Sequence, residues 1–130
     1  MNTKHILSLA RWLAAAVAVL TLAACSSAAP ASAPAAPALL VVNVKAADLM
    51  FDPMTLTAKV GQPVTVNLKN AGALEHSFVI DALNVKLEHV QAGQTATVTF
   101  TPTTAGTFDF YCNVPGHKDA GMKGTLMVNP

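Results

Sequence analysis

The sequence is short of charge, of cysteine and of apolar runs long enough to cross a membrane. Of its 130 residues, 8 are Lys or Arg and 7 are Asp or Glu. A balance so sparse and even offers no basic face for nucleic acid, and no nucleic-acid partner is expected. The apolar stretch from Trp12 to Ala24 falls short of the roughly 20 residues that a spanning helix needs. Beyond it, no segment of ten or more residues joins helical periodicity to capping residues, so long helices are not expected. Only two cysteines are present, Cys25 and Cys112.

Lys4 and Arg11 precede the apolar stretch and small residues follow it. A positive start, a short apolar segment and a small-residue exit have the form of a secretory signal. Leu22-Ala23-Ala24-Cys25 resembles the lipobox of bacterial lipoproteins. That implies cleavage before Cys25, a diacylglycerol on its sulfur, and an exported chain anchored to a bacterial membrane. The alternative is ordinary cleavage near Ala29, which leaves no anchor. An acyl chain contributes about 0.8 kcal/mol per buried CH₂, so two or three chains hold firmly. Residues 25–38, rich in Ala, Ser and Pro, cannot build a core and read as a semi-stiff tether. The expected organisation is a signal over 1–24, a lipidated Cys25 with its linker over 25–38, and one small domain over 39–130.

Removing the segment through Cys25 takes away Lys4 and Arg11. Six basic residues then face seven acidic ones, a net charge of −1. With Cys25 lipidated, Cys112 has no partner. An odd thiol in an exported protein points to a reactive or metal-bound sulfur, against the alternative of an inert buried cysteine.

The domain reads as β throughout. Leu39 to Val44 is apolar and β-branched, and Met54 to Val60 alternates before a Gly61-Gln62-Pro63 turn. Val64, Val66 and Leu68 share one face of the next strand. Strands are also expected over His76–Ile80, Thr95–Phe100, Thr107–Cys112 and Gly124–Val128, with Val85–Val90 a short strand or an irregular excursion. Seven to eight short strands with turn signals every eight to twelve residues predict an all-β, Greek-key β-sandwich.

The chemistry is concentrated in Tyr111-Cys112-Asn113-Val114-Pro115-Gly116-His117-Lys118-Asp119-Ala120-Gly121-Met122. A thiolate, an imidazole and a thioether lie within eleven residues. Soft sulfur with imidazole suits copper, which must be held as both Cu(I) and Cu(II). Pro115, Gly116 and Gly121 let the loop fold back so that the three side chains converge. His76 can supply a further donor. It opens one strand and Cys112 closes another, so if the two run antiparallel both lie at the same end of the sandwich. Period-two alternation groups His76 with Phe78 and Ile80, as it groups Cys112 with Phe108 and Phe110. Other readings stand beside this one. Cys112 and His117 could form a nucleophilic pair, but no orienting acid or oxyanion site accompanies them. Zinc could take the same donors, although methionine serves it poorly. Met122 could be core filler, as Met50, Met54 and Met127 are read to be. His89 has no motif around it and is taken as surface or structural.

Residues 39–130 as a whole resemble the cupredoxin family of small blue copper proteins. The resemblance rests on Glu75-His76-Ser77-Phe78-Val79, on Tyr111-Cys112-Asn113-Val114-Pro115-Gly116-His117, and on Gly121-Met122-Lys123-Gly124-Thr125-Leu126 leading into the last strand. The Cys-to-His spacing is more like that of azurin than of plastocyanin, and the His-to-Met spacing is one residue longer than in azurin. The resemblance implies one copper ion with His76, Cys112 and His117 around it and a long axial bond from Met122. It also implies a hydrogen bond from the Ser77 backbone N–H to the Cys112 sulfur, with Val114 N–H a candidate second donor. The Ser77 side chain is expected to tie its strand to the loop near Asn113. His117 would serve as an electron port, rimmed by Ala73, Leu74, Pro115, Ala120 and Met54. Redox proteins such as cytochromes, an oxidase or a reductase would dock there on a monomeric carrier. Two functional classes remain: a one-electron carrier, and a copper-binding or delivery protein outside any redox circuit. An oxidase would need further histidine clusters and domains, so no enzymatic activity is expected.

Overall fold

Alternation of apolar and polar side chains drives the chain into strands wherever a Gly, Pro or Asn cluster does not interrupt it. The computed structural model describes residues 35 and 37–130. The expected signal, the lipidated Cys25 and nearly all of the linker lie outside the described residues. Nine strands form: β1 (Leu40–Ala47), β2 (Met50–Asp52), β3 (Thr55–Lys59), β4 (Val64–Asn70), β5 (His76–Ile80), β6 (Val85–Val90), β7 (Thr95–Phe100), β8 (Gly106–Tyr111) and β9 (Lys123–Asn129). A single 3-10 turn, Asp81–Leu83, is the helical element among the described residues.

One sheet has the order β2-β1-β4-β7 and the other β3-β9-β8-β5-β6. The all-β sandwich is therefore as expected, with nine strands in place of seven to eight. The additional strand is β2. It follows a two-residue turn at Asp48 and Leu49, which take φ of 48° and 63°. Such turns are ordinarily marked by Asn-Gly or Asp-Gly, and an Asp-Leu pair carries no such mark. β1 runs parallel to β4 and β3 parallel to β9, whereas the other pairs are antiparallel.

Inward positions of both sheets form one core. Val64, Val66 and Leu68 of β4 are buried, as their shared face predicts. Phe51, Phe78 and Phe110 form an aromatic centre with ring centroids 4.8 to 5.9 Å apart. Fully burying each such side chain contributes about 1.5–3 kcal/mol. Phe110 and Cys112 are buried as expected, while Phe108 is only half-buried. β5 departs from simple alternation because all five of its residues are buried. His76 thus begins a strand with no solvent-facing side.

Of the four buried polar residues among those described, Asn70, His76, Ser77 and His117, Asn70 lies away from the Cys112 loop. Asn70 continues the inward face of Val64, Val66 and Leu68 and is fully buried. Its Nδ2 donates to the carbonyls of Leu74 (2.7 Å) and Val90 (2.8 Å), and its Oδ1 accepts from Gly72 N–H at 2.9 Å. One side chain therefore fixes the loop that leads into His76 and ties it to the end of β6. Replacing Asn70 by Ala removes this partner from the buried Val90 carbonyl and from the part-buried Leu74 carbonyl and Gly72 N–H. We expect a loss of about 2–3 kcal/mol, read from urea unfolding of the metal-free protein. A loss below about 0.5 kcal/mol would show that the loop holds itself.

Candidate metal centre

The antiparallel pairing of β5 with β8, with Val79 opposite Tyr111, brings the start of one strand to the end of the other. His76 and Cys112 therefore meet at one end of the sandwich, as their positions in sequence predict. β8 and β9 form a hairpin whose last rung is Tyr111 opposite Lys123. One step further, Cys112 N–H donates to the Met122 carbonyl at 3.1 Å. These two residues are the cross-strand pair at the mouth of the loop.

The loop between them is held by its own backbone. Met122 N–H donates to the His117 carbonyl (3.0 Å), His117 N–H to Val114 (3.0 Å), Ala120 N–H to Gly116 (3.0 Å) and Gly121 N–H to Lys118 (3.0 Å). Gly116 and Gly121 have φ of 85° and 103°, conformations that glycine adopts without a Cβ clash. The loop also grips β8, because the Lys118 ammonium sits 3.8 Å from the Tyr111 ring centroid. The Tyr111 hydroxyl donates to Asp81 at 2.8 Å. That bond to a carboxylate raises the phenol's pKa above its ordinary value.

The ligand atoms of His76, Cys112 and His117 lie within 4.8 Å of one another, and all three residues are buried. Cys112 Sγ is 3.4 Å from His117 Nδ1. Met122 is fully buried, and His117 retains 7% exposure. Among the described residues, His76 Nδ1 is buried without any hydrogen-bond partner. An orphaned buried nitrogen costs free energy, and a metal ion taking its lone pair removes that cost. The residues therefore fit a metal, and two imidazoles with a thiolate are the donor set of copper. Burial, and then the neighbouring His117, push the His76 pKa below the ordinary imidazole value, with Asp48 acting weakly in the opposite direction. The ring is thereby kept neutral, which is its ligating form.

Ser77 supplies the surroundings of the sulfur. Its backbone N–H donates to Cys112 Sγ at 3.4 Å, and its hydroxyl lies 3.5 Å from the same atom. The Val114 N–H, the candidate second donor, makes no hydrogen bond to the sulfur among the described residues. Val114 instead contributes its carbonyl to the turn that closes on His117. The expected tie to Asn113 is present twice, as Ser77 Oγ–H to Asn113 Oδ1 (2.6 Å) and Asn113 N–H to Ser77 Oγ (2.8 Å). Leu74, Met54, Ala73, Pro115 and Ala120 are all exposed. His89 is a surface residue, paired with Glu75 at 2.9 Å. Glu75 also accepts from Gln91, and these two bonds lower its pKa.

Residue-by-residue motif reading passed over Asn70 and Gly72. Asn70 was detectable as a polar residue on an otherwise apolar inward face. Gly72 matters because a Cβ there would lie 3.0 Å from His76 Nε2, a contact that spacing does not reveal.

A family model described as a cupredoxin-like domain matches residues 13–128. The copper-resistant cuproprotein CopI of Rubrivivax gelatinosus is 33% identical over 114 residues, covering 72% of this chain and 69% of its own. Auracyanin-A of Chloroflexus aurantiacus is 30% identical over 123 residues, covering 72% and 75%. The solved structure of dithionite-reduced auracyanin from Roseiflexus castenholzii superposes with a TM-score of 0.65 at 26% identity, covering 72% of this chain and 99% of that one.

The state of His76 sets a pH dependence for the metal-free protein. In the unfolded chain the imidazole titrates near about 6.5, whereas the buried ring takes up its proton only at lower pH. As pH falls below that value the unfolded state binds more protons, so stability declines until the lowered folded pKa is passed. Thermal unfolding at pH 7.5 and pH 5 should show this loss, and a His76→Leu variant should show a shallower one. Equal slopes in the two proteins would assign the effect to other groups.

Proposed function

The chain belongs to the cupredoxin-like family, and from that premise we propose that it is a one-electron carrier with a single copper ion held by His76, Cys112, His117 and Met122. The observation that carries the proposal is the buried convergence of His76, Cys112 and His117, with His76 Nδ1 left unsatisfied by protein. When bound, copper supplies the Cu(I)/Cu(II) couple. The chain's own part is to keep the donors still, so that little rearrangement accompanies a change of oxidation state. His76 is fixed by a fully buried strand, Cys112 and Met122 by the end of a ladder, and His117 by backbone bonds on both sides. Met122, fully buried and bonded through its carbonyl to Cys112 N–H, would occupy the remaining position in this reading, and the protein acts as a carrier without enzymatic turnover.

His117, with the remaining exposure of the ligand set, is the electron port. Leu74, Met54, Ala73, Pro115 and Ala120 offer an exposed apolar rim on which a cytochrome, oxidase or reductase would dock. Cys25 carries the lipid in this reading, residues 25–38 are the tether, and the monomeric domain works on the outer side of the membrane that holds it. The likeness to a copper-resistant cuproprotein favours a second reading, copper binding or delivery outside a redox circuit.

Optical and spin-resonance spectra of the copper-loaded protein test the site. An intense sulfur-to-copper charge-transfer band with a narrow hyperfine splitting is expected, and its absence would sink the copper proposal. A reversible potential then favours the carrier, whereas rapid copper transfer to an apo-protein without electron exchange favours delivery. Because the domain is close to neutral, electron exchange with a partner should vary little between 0.05 and about 0.2 M salt. Steep loss over that range would contradict docking on an apolar rim.

A further inference from the structure

The edge strand β6 is bulged where it passes the site. His76 pairs with Val90 and Phe78 with Leu87, so Glu88 and His89 together oppose Ser77. His89 takes φ of 60°, a left-handed conformation that costs free energy in a residue with a Cβ. The bulge sends the two side chains to the two segments that carry ligands. His89 meets Glu75, which precedes His76. Glu88 Oε1 accepts from Asn113 Nδ2 at 2.6 Å, and Asn113 follows Cys112.

Asn113 faces Ser77 with its other end. The Ser77 hydroxyl has one proton and two acceptors within reach, Asn113 Oδ1 at 2.6 Å and Cys112 Sγ at 3.5 Å. The short contact to oxygen takes the proton, because hydrogen bonds weaken with distance and sulfur is the weaker acceptor. That choice depends on which way the amide points. A carboxylate can only accept, so Glu88 requires the NH₂ end of Asn113 and turns the carbonyl end toward Ser77.

We infer that Glu88 is a positioning residue that lowers the site's reduction potential by orienting the Asn113 amide so that the Ser77 hydroxyl donates to Asn113 and not to the Cys112 sulfur. The inference rests on the copper reading above. A hydrogen bond to the sulfur withdraws electron density from the thiolate. That weakens its bond to Cu(II) more than to Cu(I), and hydrogen bonding around the sulfur is a known lever on potential. Withholding the bond favours the oxidised state.

Glu88→Gln tests this. Glutamine can donate as well as accept, so the Asn113 amide is free to turn its NH₂ end toward Ser77. The Ser77 oxygen then accepts from that NH₂, and its O–H, still covalently intact, donates its hydrogen bond to the sulfur. The preference for Cu(I) over Cu(II) should rise about threefold to tenfold, a tenfold change being about 59 mV for one electron. The sulfur-to-copper absorption band should shift in energy with it. Asn113→Ala should move the potential in the same direction. In a Ser77→Ala background, Glu88→Gln should have no further effect. A potential that rises equally with and without the Ser77 hydroxyl would assign the effect to lost charge alone and overturn the inference, as would no rise at all. In the metal-free protein, nuclear Overhauser contacts from the Asn113 amide protons should run to Glu88 in the wild type and to Ser77 in Glu88→Gln. An unchanged orientation would also overturn it. If the wild-type protein shows no charge-transfer band, the copper reading fails, and that result is distinct from a normal band that the Glu88 variant leaves in place.

Discussion

An imidazole nitrogen buried without a protein partner is a debt in the metal-free chain, and the surrounding structure is arranged to hold it in place. Left mobile, His76 would turn its ring toward water and satisfy Nδ1 there. The fully buried strand β5 prevents that, and Gly72 brings backbone against the far side of the ring where any larger residue would press on Nε2. The metal site is thus created by denying a polar atom every other option. Bound metal is the one partner left, and its affinity becomes part of the stability of a domain with a small core.

The supports around the ligands divide into two kinds. Backbone hydrogen bonds fix the loop from Cys112 to Met122, and these do not depend on side-chain identity except where Gly116 and Gly121 permit the turns. Side chains do the rest. Asn70 anchors the segment before His76, Ser77 bridges β5 to the loop, and the bulge in β6 braces Glu75 and Asn113 from outside.

Much of this was legible in the sequence. The alternation in β3, β4 and β7 and the turn residues between them gave the sandwich. The Cys112-to-His117 spacing pointed to the loop, and the inward phase of His76 with Phe78 anticipated the convergence of His76 with Cys112 and His117. What escaped notice had weak local signals. β2 is three residues long after an Asp-Leu turn that breaks the usual composition rule. Val114 was expected to donate to the sulfur, but its recorded bond is the one its carbonyl accepts from His117, and the direction of an N–H depends on the turn it sits in. Glu88 lies in a strand that alternates poorly because of its bulge, and its link to Asn113 spans 25 residues.

The parallel pairing of β3 with β9 has a consequence for the order of events in time. Among the described residues, Thr55 to Lys59 finds its ladder in Thr125 to Asn129, so β3 gains this partner only when the much later β9 folds against it. Contacts so distant in sequence form late and slowly. Met122 and the closing strand are delivered by that same final stretch. Strands β5 and β8 can thus bring His76 and Cys112 together without β9, whereas Met122 takes its place beside Cys112 only once β9 has paired with β8.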